Sequence, residues 1–296
     1  MPVLPSAVQI RDVGARDGLQ AELPLAVGQR VQLIEAIVGS GVTHIELAAF
    51  VSAKAVPSMA GAAEVVAAVG NLPGVVRAAL VPNVRGAEMA ISCGVDELTV
   101  TISASPGYNE RNVRMTIDDS IAQIATICAM PGCPPVDAVV SCAFGSPYEG
   151  DIGSSDVAAL CSRLRDVGAT NITVADTTGM ATPRLVTDLL TITGVDVGLH
   201  LHETRGTGLL NAYAALLAGA ARFDTSVGGL GGSPFAAGAA GNVATEELVA
   251  LLDDLGVHTG IDVDRLIDAA LLVESFVGHS VPSRVAHVGP RTRRST

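Results

Sequence analysis

Asn171-Ile172-Thr173-Val174-Ala175, then Pro183 to Ile192, then Val197-Gly198-Leu199-His200-Leu201-His202 form the unit on which the fold of this chain turns. The first and last runs are apolar and rich in branched residues, of the length of a buried strand. The stretch between them opens on proline and carries apolar residues at helical spacing, so it reads as a helix. Strand, helix and strand in that order make a parallel crossover unit.

Outward from this unit the same grammar repeats. Strand-like runs fall at Val8–Val13, Thr43–Ala48, Val76–Val81, Glu97–Ile102, Ala138–Ala143, Asn171–Ala175, Val197–His202 and Arg222–Val227. Helix-like stretches separate them: Gln29–Val38, Ala62–Val69, Asn83–Ala90, Ile117–Ala129, Ser155–Val167, Pro183–Ile192 and Leu209–Ala218. Gly39, Gly70, Gly94, Gly168 and Gly219 stand just past helix ends, where a left-handed residue closes the last turn. Eight such units predict an α/β fold, a closed (β/α)8 TIM barrel, over an open doubly wound sheet. After a glycine-rich loop, Gly228–Gly241, two further helical stretches follow at Thr245–Leu255 and Asp262–Phe276. The reading is one barrel domain over residues 1–296, with 262–296 as a C-terminal helical extension.

Composition supports this and narrows the function. The chain of 296 residues is 49% hydrophobic and 16% charged, enough apolar material for a large core. Aromatics are only 3%, so Val, Ile, Leu and Ala must fill it. A net charge of -12 argues against a nucleic-acid partner. The one basic cluster, Arg291, Arg293 and Arg294, reads as a solvated terminus. Five cysteines at irregular spacing, with no C-x-x-C pair, suggest reduced thiols in a cytoplasmic protein. Nothing at the N-terminus reads as a signal peptide, and no apolar stretch is long enough to predict a membrane span.

In a barrel of this kind the chemistry lies at the C-terminal ends of the strands. Polar residues recur there: Arg16-Asp17-Gly18, Glu46, Asn83, Asp176-Thr177-Thr178-Gly179, His200 with His202, and Asn242. Two residues apart on a strand, His200 and His202 present both imidazoles on one face. Alone, that spacing is more often met in core or loop histidines than in ligands. Joined by Asp17 and the amide oxygen of Asn242, it makes a set of two imidazoles and two oxygens. Such a set suits Mg2+ or Mn2+, and also Zn2+ or Co2+. Arg16 is either an ion-pair partner of Asp17 or a fixed guanidinium for a developing oxyanion. The glycines of 228–232 are either a flexible connection or a loop that approaches a ligand closely.

Several segments together resemble the 3-hydroxy-3-methylglutaryl-CoA lyase family. They are Asp12-Val13-Gly14-Ala15-Arg16-Asp17-Gly18-Leu19-Gln20-Ala21-Glu22, Ile45-Glu46, and Phe50-Val51-Ser52 with Val56-Pro57. The run continues with Ser141-Cys142-Ala143-Phe144-Gly145, Pro147-Tyr148-Glu149-Gly150, Asp176-Thr177 with Gly179, and His200-x-His202. Ser226-Val227-x-Gly229-Leu230-Gly231-Gly232 and Gly241-Asn242-x-Ala244-Thr245-Glu246 complete it. The resemblance spans about Val8 to Ala286.

It implies a barrel whose divalent metal is held by Asp17, His200, His202 and Asn242. It implies cleavage of an acyl-CoA, 3-hydroxy-3-methylglutaryl-CoA, to acetoacetate and acetyl-CoA by a retro-Claisen step. Arg16, Asp17, His200, Glu46 and Ser233 would be catalytic, with Arg16 on the enolate and His200 in proton transfer. Asp176 and Thr177 would contact the bound groups, Arg284 would contact a CoA phosphate, and Glu246 is a further acidic residue of the site region. A homodimer or higher homo-oligomer is also implied.

Ser233 departs from the family, which places a catalytic cysteine there. A thiol of pKa ~8.5 exchanges protons near neutral pH far more readily than a serine hydroxyl. Two alternatives therefore stand beside the first expectation: a lyase for another branched 3-hydroxyacyl-CoA, such as citramalyl-CoA, or a metal-binding barrel without turnover. Ser146 and Glu203 replace a cysteine and an aspartate usual in the family.

Overall fold

In the computed structural model, which describes residues 4–232 and 241–291, eight parallel strands close into a barrel in chain order. They are β1 (Gln9–Asp12), β2 (His44–Ala49), β3 (Val76–Leu80), β4 (Glu97–Ser103), β5 (Val136–Ser141), β6 (Asn171–Ala175), β7 (Gly198–His200) and β8 (Arg222–Thr225). Closure is made by β1 on β8, with Gln9 opposite Arg222 and Asp12 opposite Thr225. Ile45, Leu47, Leu98, Val100 and Ile102 are buried in β2 and β4, as a sheet covered on both faces requires.

The helices around it are α1 (Val27–Gly39), α2 (Ala62–Val69), α3 (Val84–Ser92), α4 (Pro106–Val113), α5 (Ile117–Cys128), α6 (Ser154–Asp166), α7 (Pro183–Thr193) and α8 (Gly208–Leu217). Beyond the barrel come α9 (Thr245–Asp254), α10 (Val263–Val277) and α11 (Arg284–Val288). The extension packs back onto the barrel, α10 lying against α1, α9 and the turn Val227–Gly229.

Three local expectations are corrected. Helix α4 has no counterpart in the sequence reading, because Pro-Gly-Tyr-Asn-Glu-Arg-Asn-Val is short and lacks an apolar stripe at helical spacing. It forms because Ser105 caps it, accepting from the Tyr108 amide, and Pro106 opens it. Asn83 caps a helix, its side-chain oxygen accepting from the Gly86 amide. The seventh strand ends at His200, and His202 instead makes an isolated bridge to Asn242. Arg291 is exposed, as a solvated terminus requires, and is bound in a fork to Asp254; Arg293 and Arg294 lie outside the described residues. Among the described residues no helix is long and apolar enough to cross a membrane.

Candidate metal centre and its surroundings

At the end of β1 the chain leaves the sheet in a π-helical turn, Gly14–Gly18, with amides of Asp17 and Gly18 both donating to the Val13 carbonyl. This turn lifts Arg16 and Asp17 to the barrel mouth. Opposite, residues 241–243 pair with 201–203: Glu203 N donates to Gly241 O and Val243 N to Leu201 O, each at 3.0 Å. That pairing sets Asn242 beside His202.

Asp17, His200 and His202 offer ligand atoms that all lie within 4.8 Å of one another. The two ring Nε2 atoms face each other at 3.2 Å, and His200 Nε2 is 3.9 Å from Asp17 Oδ2. Asn242 Nδ2 donates to Asp17 Oδ2 at 2.8 Å and to the Leu230 carbonyl at 3.0 Å. Burial would push the Asp17 carboxyl up, but Arg16, His200 and the Asn242 amide hold it below the usual carboxylate range. It is therefore an anion at neutral pH, ready to ligate.

The residues fit a divalent cation. One carboxylate oxygen, two imidazole nitrogens and one amide oxygen make a hard-to-borderline donor set. The buried Oδ1 of Asn242 has no hydrogen-bond partner among the described residues. An unmatched buried acceptor is costly, so it calls for a cation or donor beyond the described residues. Gly231 keeps the space open. A Cβ there would meet Asn242 Nδ2 at 2.5 Å and Asp17 Oδ2 at 3.2 Å, and its φ of +110° excludes most side chains.

Arg16 is buried and held from two sides. Its Nε donates to Glu46 Oε2 and its Nη1 to Asp17 Oδ1 at 2.7 Å. Burial would weaken its hold on the proton, but Glu46 and Asp17 raise it instead, so it stays a cation. The structure thus gathers Arg16, Asp17, Glu46, His200, His202 and Asn242 at one place.

Other expected site residues stand differently. Asp176 Oδ1 accepts from the Ala181 amide at 2.8 Å, while its buried Oδ2 has no hydrogen-bond partner among the described residues. Burial pushes this carboxyl up to about 7. Thr177 Oγ1 accepts from the Cys142 amide at 3.1 Å and so braces the loop after β5. Cys142 itself is buried with φ +54°, a conformation unusual for a side-chain-bearing residue. Arg284 is not joined to the cluster: it opens α11, its amide donates to Glu247 Oε1, and its side chain is 72% exposed. Glu246 is wholly buried and accepts from the Gly228 amide, so it anchors the turn after β8. Ser233 lies outside the described residues.

Below the mouth is a charged floor that the sequence reading did not single out. Arg11 on β1 reaches across the barrel to Asp224, Asp137 and Glu97, and Glu97 Oε1 also meets His44 Nε2 at 2.9 Å. Asp12 lies beside it, taking the Thr245 hydroxyl at 2.6 Å and the Val227 amide at 3.0 Å. A signal existed: Arg11, Glu97 and Asp224 are charged residues within or at the start of strand runs that a closed barrel buries. A charge in such a run must be paired if the run is buried.

With the geometry in view, the chain can be set beside known proteins. A family model described as HMGL-like matches residues 7–273. The 3-hydroxy-3-isohexenylglutaryl-CoA/hydroxy-methylglutaryl-CoA lyase of Pseudomonas aeruginosa is 40% identical over 291 residues, covering 96% of this chain and 97% of that one. The mitochondrial hydroxymethylglutaryl-CoA lyase of Homo sapiens is 36% identical over 294 residues, covering 97% and 90%. A solved HMG-CoA lyase from Acinetobacter baumannii, in complex with coenzyme A and 3-methylmalate, superposes with a TM-score of 0.94 at 37% identity, over 100% of this chain and 99% of that one. Likeness at this level runs through barrel, mouth and extension alike, and so the chain belongs to the hydroxymethylglutaryl-CoA lyase family, the HMGL-like carbon–carbon lyases.

Proposed function

We propose that this chain cleaves 3-hydroxy-3-methylglutaryl-CoA to acetoacetate and acetyl-CoA, with Mg2+ or Mn2+ as its metal. The observation that carries the reading is the convergence of Asp17, His200, His202 and Asn242 on one point with the Arg16 guanidinium alongside. Those four residues would hold the cation. When bound, it supplies Lewis acidity that lowers the pKa of the substrate's tertiary hydroxyl.

Asp17 then takes the hydroxyl proton as general base, since His200 has one ring nitrogen toward the cation and the other facing Asp224. The bond between the hydroxyl-bearing carbon and the thioester α-carbon breaks, its electron pair passing to the thioester as an enolate. The departing fragment is the ketone acetoacetate. Arg16, locked by Glu46 and Asp17, lies where it can stabilise the enolate oxygen without reorganising. Protonation of the α-carbon gives acetyl-CoA. Asp176 and Thr177 would line the neighbouring wall, and Arg284, exposed beside Glu247, would meet a CoA phosphate. All five cysteines are free thiols, which fits the cytoplasmic location expected for the chain. A homodimer is retained as part of this reading.

The test is acetyl-CoA release by the purified protein with Mg2+ or Mn2+ across a panel of 3-hydroxyacyl-CoA thioesters, with acetoacetate measured as the second product of 3-hydroxy-3-methylglutaryl-CoA. The panel includes a substrate with a longer 3-alkyl chain, as the name of the Pseudomonas relative suggests, and citramalyl-CoA. Turnover of 3-hydroxy-3-methylglutaryl-CoA is expected. Turnover of another thioester alone would overturn the substrate, and no turnover of any would overturn the lyase reading.

A further inference from the structure

His200 has two ring nitrogens, and only one of them faces the metal cluster. Its Nε2 points to His202 and Asp17; its Nδ1 is 3.3 Å from Asp224 Oδ2. Asp224 is itself fixed from below: Arg11 donates Nε to Oδ1 at 2.9 Å and Nη2 to Oδ2 at 2.7 Å, a two-pronged grip. The remaining Arg11 nitrogen, Nη1, is bound to Asp137 at 2.7 Å and Glu97 at 3.2 Å. Each of these side chains is buried. Neither end of the Asp224 carboxylate is therefore free to turn away from the histidine.

We infer that Asp224 is the positioning residue of the metal centre: held by Arg11, it fixes the ring angle and the Nδ1–H tautomer of His200, so that Nε2 presents its lone pair to the cation. This rests on the metal-ligand reading of His200 given above. A carboxylate paired with arginine can only accept hydrogen bonds, so the facing Nδ1 must donate. The proton on an imidazole that ligates through one nitrogen is set by what the other nitrogen meets. The Arg11 fork has a second consequence. It spans β1 and β8, the strands that close the barrel, so the ring orientation is tied to closure and not to a mobile loop.

The experiment compares Mn2+ binding, followed by electron paramagnetic resonance, in the full-length wild type, Asp224→Asn and His202→Ala. An asparagine has the same shape, but with its carbonyl toward Arg11 it offers an N–H to His200 and favours the wrong tautomer. A 10- to 100-fold loss of Mn2+ affinity is expected for Asp224→Asn. A merely structural role would lower its melting temperature and leave Mn2+ affinity within twofold, which would overturn the inference. His202→Ala separates the two levels of the argument. If it binds Mn2+ as the wild type does, the ligand reading fails; if it does not and Asp224→Asn does, only the positioning role fails. Should Asp224→Asn not fold, 15N spectra of the wild-type histidines at pH 8.5 decide, with His200 assigned by its absence in His200→Gln. The Nδ1–H form is expected there, and the Nε2–H form would overturn the inference.

Discussion

Asn242 Nδ2 donates to Asp17 Oδ2 at 2.8 Å across 225 residues of chain. One amide thus braces one candidate ligand and offers another, the buried and unmatched Oδ1. Asn242→Ala removes both. Mn2+ affinity should fall ~10- to 100-fold, the range seen when groups supporting a metal ligand are lost. Isothermal titration of the variant against the wild type checks this. Unchanged affinity would remove Asn242 from the ligand set.

Gly231 makes the same point by exclusion. Its φ is +110°, and an added Cβ would stand 2.5 Å from Asn242 Nδ2. Gly231→Ala is expected to weaken metal binding and turnover together, while a substitution at Gly74, where a Cβ would meet nothing within 4 Å, should do neither. Parallel titrations of Gly231→Ala and Gly74→Asn compare them.

In the proposed mechanism Arg16 stabilises the enolate, and its fork touches Glu46 and Asp17 at once. Lysine keeps the charge but cannot span both carboxylates. Arg16→Lys should lower kcat ~10²- to 10³-fold, the size of losing one preorganised donor. Metal affinity should move far less. If kcat is retained and only KM rises, Arg16 binds substrate without stabilising the enolate.

Burial raises two carboxyls away from the metal, Asp12 to about 6 and Glu246 to about 7. Both values lie above those of an unfolded chain, so between about pH 4 and pH 7 the folded state binds more protons. Stability from these groups is full below pH 4 and is lost as pH rises through 6 and 7. A shift of two to three pKa units corresponds to roughly 3 kcal/mol each. In EDTA the melting temperature should therefore decline from pH 5 to pH 7.5, and Asp12→Asn or Glu246→Gln should flatten that decline. A slope unaltered by either variant would show that both carboxyls titrate normally.

By the sequence resemblance, Ser233 takes the place of a cysteine. With a thiol restored, Ser233→Cys should raise turnover of 3-hydroxy-3-methylglutaryl-CoA, since a thiol gives up its proton far more readily. Steady-state kcat on that substrate is the measurement. A fall in kcat would indicate that the wild-type enzyme works through the serine or through another acid.

The barrel was legible because its signals are local. Apolar runs of strand length and glycine-terminated helices are set by neighbours within a few residues, and eight alternations admit few other closures. Arg16, Asp17, His200, His202 and Asn242 were legible as types at strand ends. Helix α4 was not, because one serine cap and one proline outweighed a polar sequence.

What the sequence by itself determined was the fold class, the family and the kinds of group at the barrel mouth. Only the tertiary structure decided which atoms meet: that Asn242 turns its N–H to Asp17, that Glu46 grips Arg16, and that Arg284 pairs with Glu247 outside the cluster. It alone showed Asp224 beneath His200, with Arg11 reaching it from 213 residues away. The reason is geometric. Strand and helix periods fix which face a side chain takes, whereas contact across the lumen depends on strand tilt and stagger once the sheet has closed.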